Sequence, residues 1–397
     1  MALTAVQALY IHIPFCISKC RYCDFFSVPC GRKECCVPQS YIKALCNEIE
    51  YRIKKYKIEC LQSVYIGGGT PSLLKSDQVY YIFNTIRRNT SLDRNCEITI
   101  EANPDDITGE LIECWEKAGI NRISLGIQSF SDNALSYVSR RATCDINKKG
   151  LSLIKSMWKG KLSVDLICGL PEQSWESFEE DLHTLLQYSP EHISMYSLTI
   201  EEETPLGHDF YNGMLNYDFD YADDLWLRSK DILEENGYIH YEVSNFSLPQ
   251  EQCRHNLKYW NHESYIGCGS GGAGSVYNSD GSGTRWTNIK DITKYCNFWN
   301  SEGDFNNESP FPESVEYISV ETSMFEFFMM GLRKLSGIRE WDFKNIFSCN
   351  IPEKIVNVFN KWNEKGLCEI KNNEMGKEYS LGHRGILYLN CFLEEII

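Results

Sequence analysis

The chain of 397 residues is short of three things, and each shortage excludes a class of function. It is short of basic residues, with 39 Lys+Arg against 55 Asp+Glu and a formal charge of −16. That balance repels phosphate backbones and anionic lipid, so nucleic acid is not expected as a partner. It lacks a long apolar run, since no stretch approaches the ~18 residues of a membrane span. Its first residues, Met1 to Leu9, carry no basic segment, so no leader or transit peptide is expected, and the expected location is the cytoplasm. Hydrophobic content of 43% and charged content of 24% are those of a globular enzyme-like chain.

Cysteine, in contrast, is abundant at 18 residues. Cys46, Cys114 and Cys168 fall within helical or strand patterns and read as small packing residues in a reducing compartment. Three others stand apart. Cys16-Ile-Ser-Lys-Cys20-Arg-Tyr-Cys23 follows the strand-like run Leu9–Ile13 and places three thiols in a CxxxCxxC spacing on one loop. Zinc prefers paired CxxC units that supply four ligands, and no second pair stands nearby. A [4Fe–4S] cube takes four thiolates, so three leave one iron open to a small molecule. The bland alternative is three buried free thiols. Cys30, Cys35 and Cys36 follow closely; a solvent-facing insertion, Cys30–Pro38, with reduced thiols is expected there rather than a second metal site.

Through the first half, strand-like runs alternate with amphipathic helical patterns. The strands are Leu9–Ile13, Ser63–Ile66, Glu97–Glu101, Arg122–Leu125, Ser163–Ile167 and His192–Leu198. Ile42, Leu45, Ile49 and Ile53 share one helical face, as do Val79, Ile82, Phe83 and Ile86; Gly119 and Ser174 read as a C-terminal and an N-terminal cap. Six such units predict an α/β fold, a partial (β/α)6 TIM-like barrel, with its site at the C-terminal ends of the strands. Beyond residue 215 the rhythm changes, and residues 278–315 read as long loops. The last part reads as helices followed by a hairpin, a C-terminal α+β winged-helix-like domain whose balanced charge argues for a lid, dimer surface or partner dock instead of DNA. The expected division is 1–215, 216–315 and 316–397.

The cysteine loop resembles that of radical S-adenosylmethionine (SAM) proteins. Tyr10-Ile-His-Ile-Pro-Phe-Cys16 narrows the resemblance to the coproporphyrinogen oxidase-like group, and Gly67-Gly-Gly-Thr-Pro-Ser72, Glu101-Ala-Asn-Pro104, Ser124–Phe130, Asp165–Pro171 and Gly331-Leu-Arg333 follow in order along nearly the whole chain. The resemblance implies a [4Fe–4S] cluster on Cys16, Cys20 and Cys23, whose open iron chelates SAM and reduces its sulfonium to a deoxyadenosyl radical. It implies a SAM pocket from Tyr10, Gly68, Gly69, Thr70, Glu101, Gln128, Arg140 and Asp165, with the glycines letting backbone donors approach the methionyl part. Each of these alone would read as a solvated strand-end residue; together they supply the convergent polar groups of a small-molecule site.

Two features separate the branches of this group. The oxidase branch carries a further cysteine two positions after the third ligand, where this chain has Phe25. His255-Asn256-Leu-Lys-Tyr259-Trp260 matches the HNxxYW motif of the HemW-type heme chaperones, which implies heme as a ligand and His255 as a candidate for its iron; the plainer reading is a histidine anchoring a loop. Two histidines common in that branch are absent, at Gly271-Gly272-Ala273-Gly274 and after Arg140. The resemblance thus implies heme delivery to hemoproteins such as respiratory-chain cytochromes, membrane contact only through those partners, and the homodimer known in the group. Coproporphyrinogen III oxidation and chemical modification of heme are the enzymatic alternatives.

Overall fold

The structure is a computed structural model that describes residues 3–31, 37–301, 313–374 and 376–397. The six expected parallel strands are present: β1 Ala8–Ile13, β2 Cys60–Gly68, β3 Ser91–Ala102, β4 Arg122–Gln128, β5 Lys161–Cys168 and β6 His192–Ser197. They neighbour one another in chain order. Leu9, Ile11, Val64, Ile66, Ile100, Ile123, Leu125, Val164, Leu166 and Met195 are fully buried on the face covered by helices, where they meet Ile42, Leu45, Ile49, Val79, Ile82, Phe83, Trp115 and Phe178. Each such side chain contributes about 1.5–3 kcal/mol. The intervening positions face the concave side and are polar: Ser63, Glu97, Thr99, Arg122, Ser124, Ser163, His192 and Ser194 are all buried. Period-two alternation therefore separates an oily outer layer from a polar lumen. The expected caps are there too, Gly119 in the left-handed conformation at φ 88° and Ser174 accepting from the Ser177 amide.

The sheet extends further than the six strands. Among the described residues it holds twelve, and the additions flank both edges of the barrel. Beyond β6 come two antiparallel strands, β7 Ile239–Glu242 and β8 Asn245–Ser247. On the other side β9 Tyr265–Cys268 pairs parallel with β1, followed by the antiparallel β10 Ala273–Tyr277, β11 Gly283–Asn288 and β12 Glu313–Ile318. The expectation of long loops over 278–315 is thus corrected, as β11, the helix Ile292–Trp299 and the start of β12 occupy that span. Trp286, Tyr295 and Trp299 belong to the same core as the barrel strands. A second core forms around Phe328, Phe343, Phe359, Trp362, Tyr379 and Phe392. Its helices Val320–Gly331, Glu340–Phe347 and Glu353–Glu364 accompany a three-stranded sheet of β13 Ile338–Arg339, β14 Cys368–Asn373 and β15 Gly376–Leu381, in the winged-helix order. Among the described residues no helix is long and apolar enough to cross a membrane.

Candidate functional site

At the C-terminal ends of the strands lies a cavity of about 460 Å³. The three cysteines of the loop line it, together with Gly68, Gly69, Thr70, Glu101, Gln128, Arg140 and Asp165. Ten of the twelve residues named from the sequence are therefore brought to one place; Tyr10 and His255 are not among them.

The loop is pinned from both sides. Phe15–Cys16 pairs parallel with Val28–Pro29, and the Cys30 amide donates to the Cys16 carbonyl at 2.8 Å. Further on, the Arg21 amide reaches the Val138 carbonyl at 3.1 Å. His12 ties the far end, one ring nitrogen on the Phe26 carbonyl at 2.9 Å and the other on Tyr10 Oη at 3.0 Å. Cys30 is disulfide-bonded, which corrects its reading as a reduced thiol. Cys35 and Cys36 lie outside the described residues.

A polar chain connects two of the thiols. Thr70 Oγ1 donates to Cys16 Sγ at 3.3 Å, Asn103 Nδ2 donates to Thr70 Oγ1 at 3.3 Å, Arg140 Nη2 donates to Asn103 Oδ1 at 3.0 Å, and Arg140 Nη1 reaches Cys20 Sγ at 3.6 Å. Donors aimed at sulfur stabilise thiolate, the form a metal takes. The donor set, three thiols on one short loop with two polarising partners, fits an iron–sulfur cluster with one iron left to another ligand.

The carboxylates stand on neighbouring strands. Glu101 accepts from Tyr65 Oη and from the Gly68 amide, each at 3.0 Å. Asp165 accepts from Ser124 Oγ at 3.2 Å. Burial, and then Asp165, push the Glu101 carboxyl up to about 7, and burial pushes Asp165 up to about 6. Two acids that resist ionising together favour a cationic guest. At the end of β4, Gln128 takes φ 69°, unusual for a residue with a side chain, beside an irregularity in the β4–β5 pairing. Such backbone collects at binding sites.

The glycine triplet does something other than expected. The Gly68 amide is taken by Glu101 and the Gly69 amide by the Ile13 carbonyl at 2.9 Å, so neither is free to meet a ligand. Gly68 has φ +113°, and a Cβ there would come within 2.6 Å of the His12 ring. At Gly69 it would meet the Phe15 backbone at 2.7 Å. The glycines let the end of β2 lie flat against the root of the cysteine loop.

Glu101 also yields a measurable consequence. Its folded pKa of about 7 exceeds the ordinary 4.5, so the native state holds a proton that the unfolded chain has released. Its contribution to stability is present below the unfolded value and is lost as pH rises towards 7. Relative to wild type, Glu101→Gln is expected to gain stability between pH 4.5 and 7 and then level off. Urea midpoints across that range test this; a pH-independent difference would contradict it.

Sequence reasoning did not single out Tyr65, Asn103, Ser124 or Tyr196, all of which line the cavity. The available signal was parity: Tyr65 stands two residues before Gly67, and Ser124 two before Gly126, so each faces the lumen. Phe25 is 69% exposed and lines the same cavity.

Tyr10 and His255 sit one layer away from it. Tyr10 stacks on Tyr65 at 6.2 Å between ring centroids, and His255 stacks on the same ring at 5.2 Å. His255 is 1% exposed, with Nδ1 on Ser63 Oγ at 2.8 Å and Nε2 on Tyr259 Oη at 2.7 Å. Burial, aided by Lys258, drives it down to about 3, so it is neutral. The short helix Arg254–Trp260 seats its first amides, Arg254 at 3.1 Å and His255 at 2.9 Å, on the buried Glu97 carboxylate. This arrangement differs from an iron ligand facing a cavity, because both imidazole nitrogens are already satisfied by the core. At the other end of the motif, Trp260 stacks under Arg333 of the late Gly-Leu-Arg motif, with the guanidinium 5.4 Å from the ring centroid.

Comparison with known proteins adds the following. The radical SAM superfamily pattern matches residues 10–185. The chain is 33% identical over 360 residues to the heme chaperone HemW of Lactococcus lactis subsp. lactis (strain IL1403), covering 89% of this chain and 90% of that protein. It is 31% identical over 388 residues to the heme chaperone HemW of Escherichia coli (strain K12), covering 98% and 97%. To the mitochondrial radical S-adenosyl methionine domain-containing protein 1 of Mus musculus it is 33% identical over 288 residues, covering 72% and 64%. Among solved structures, coproporphyrinogen III oxidase (HemN) from Escherichia coli superposes with a TM-score of 0.80 at 18% identity, covering 98% of this chain and 90% of that one. At that identity the likeness concerns the fold.

Proposed function

The chain belongs to the HemW family of the radical SAM superfamily, and on that premise we propose that it is a heme chaperone: it binds heme and hands it to recipient hemoproteins, respiratory-chain cytochromes among them, from the cytoplasm. The observation that carries this is likeness along almost the entire length to proteins named for that role, together with Phe25 at the cavity rim in place of the oxidase cysteine.

In this reading Cys16, Cys20 and Cys23 hold a [4Fe–4S] cluster, and SAM lies among Gly69, Thr70, Glu101, Gln128, Arg140 and Asp165, behind which Tyr10 backs Tyr65. When bound, the cluster supplies one-electron reduction at its open iron. The chain's own residues supply the rest. Thr70 and Arg140 polarise two of the thiols, the Glu101–Asp165 pair attracts a cationic ligand, and the loop's backbone pairing keeps the thiols in register.

Incubating reduced, cluster-loaded protein anaerobically with SAM and coproporphyrinogen III is expected to yield no protoporphyrinogen IX, whereas heme titration yields a saturable Soret band and unmodified heme by mass spectrometry. Catalytic oxidation of the porphyrinogen, or altered heme, would replace the chaperone reading with an enzymatic one.

His255 enters this proposal conditionally on motion. To reach iron it must leave Ser63 and Tyr259, which displaces the helix Arg254–Trp260. Heme addition is therefore expected to speed amide exchange over residues 254–260, and His255→Ala to weaken the Soret band with the cluster intact. Full binding by His255→Ala without exchange changes would assign the ring to packing behind Tyr65.

A further inference from the structure

Away from the cavity, three side chains from separate segments converge where the barrel sheet meets the C-terminal unit. Glu234 lies at the end of the helix Phe219–Glu235, His240 on the edge strand β7, and His383 just after β15. One ligand-capable atom from each lies within 4.8 Å of the other two. None of the three lines the cluster cavity.

His240 carries most of the argument. It is 4% exposed, stacked on Phe246 at 4.6 Å and edge-on to Trp226 at 5.4 Å. Neither of its ring nitrogens has a partner at full hydrogen-bond geometry, and its nearest polar neighbour on the chain is the Val243 backbone. A buried imidazole without partners is costly, by about 1–3 kcal/mol, and calls for an explanation. The His383 ring lies 6.1 Å away, and its Nδ1 is 3.9 Å from Glu234 Oε1. The other oxygen of Glu234 accepts from Lys230 Nζ at 2.8 Å, and Lys230 also reaches Asp231 at 3.3 Å. Glu234 thus has one oxygen to offer, with its second held by a cation that counts against a metal.

We infer that Glu234, His240 and His383 form a divalent-metal site of the zinc class that fastens the C-terminal unit to the edge of the barrel sheet. Two imidazoles and one carboxylate are an established zinc donor set, which leaves a fourth position for water. Bonds of about 2.0–2.1 Å in a tetrahedral arrangement bring ligand atoms to about 3.3 Å of one another. His383 is exposed and Glu234 half-buried, so the approach is made by turning the His383 ring while Glu234 keeps Lys230 on its other oxygen. An ion pair between His383 and Glu234 alone would account for those two residues and leave His240 unexplained.

The test uses full-length, cluster-loaded protein equilibrated with zinc chloride buffered by a chelator, with bound metal counted by mass spectrometry. One zinc per chain is expected in addition to the cluster iron. His383→Ala, which removes only an exposed ring, is expected to weaken binding about 100-fold, and Glu234→Gln about 10-fold. Zinc K-edge absorption, which iron does not obscure, is expected to show imidazole scattering and no sulfur. No bound zinc, undiminished binding by His383→Ala, or sulfur in the zinc shell (which would place the metal on the cysteine loop) each overturns the site.

Discussion

Replacing Cys16, Cys20 and Cys23 together by alanine is expected to lower iron from about four atoms per chain to background. SAM binding is expected to fall with it, since its chelating position belongs to the open iron. The fold is expected to survive. The loop is held by backbone bonds, Val28 to Pro14 and Gly31 to Ile17 as well as the Phe15–Cys16 pairing, none of which involves a thiol. Iron and sulfide analysis of anaerobically reconstituted protein, with circular dichroism as a control, reads both outcomes. A folded triple variant that keeps its cube would move the cluster elsewhere and remove the basis for assigning the cavity. Arg140→Met is the graded form of the same experiment. It deletes the donor on Cys20 and the bond to Asn103, yet leaves every thiol in place. Cluster assembly in that variant measures how much the polar chain from Cys16 to Cys20 contributes.

The six parallel strands and the ends that carry the site were legible because both patterns are local. A strand of branched residues followed by a charged or glycine-rich end can be read without knowing its neighbours. β9 was not legible. It is four residues long and includes Gly267, where a Cβ would come within 1.8 Å of the Ala273 carbonyl oxygen, so the glycine reflects a tight strand-to-strand approach and only looks like loop composition. β11 and β12 hid for a related reason, as Thr, Arg, Asn, Ser and Glu in the outermost strand and its neighbour alternate too weakly to stand out. The same limit applies in the site. Glu101 and Asp165 announce themselves as carboxylates at strand ends, whereas the role of Asn103 exists only because Thr70 and Arg140 arrive on either side of it. His255 shows the converse: a motif histidine whose position in sequence says nothing of its two buried partners.

Glu48 is expected to be the most costly single residue to lose from the core, and its loss is expected to reach the cluster loop. It is fully buried. One oxygen accepts from Arg52 Nη2 at 3.1 Å and Asn288 Nδ2 at 2.8 Å, the other from Tyr295 Oη at 2.6 Å and the Gly269 amide at 2.8 Å. Arg52 is 1% exposed, pairs also with Glu313, and lies over Trp286 at 4.3 Å. Removing one partner of a buried pair costs about 3–5 kcal/mol, because the remaining charge and donors are stranded. Against a total stability of about 5–15 kcal/mol that is a large share. An apolar double replacement of Glu48 and Arg52 is not expected to rescue the loss, since Tyr295, Asn288 and Gly269 would still lack their acceptor. The effect travels because Gly269 follows β9 and rests against the His12 carbonyl, which also accepts from Tyr41 Oη at 2.8 Å. His12 anchors the cysteine loop through Phe26. Glu48→Ala is accordingly expected to speed exchange of the Gly269 amide at least about 100-fold, the equivalent of ~3 kcal/mol, and to lower the yield of cluster on reconstitution. Native-state hydrogen exchange and iron analysis on the same preparation test both. Faster exchange with full cluster yield would show that β9 and the loop are held independently, and unchanged exchange would refute the role given to Glu48.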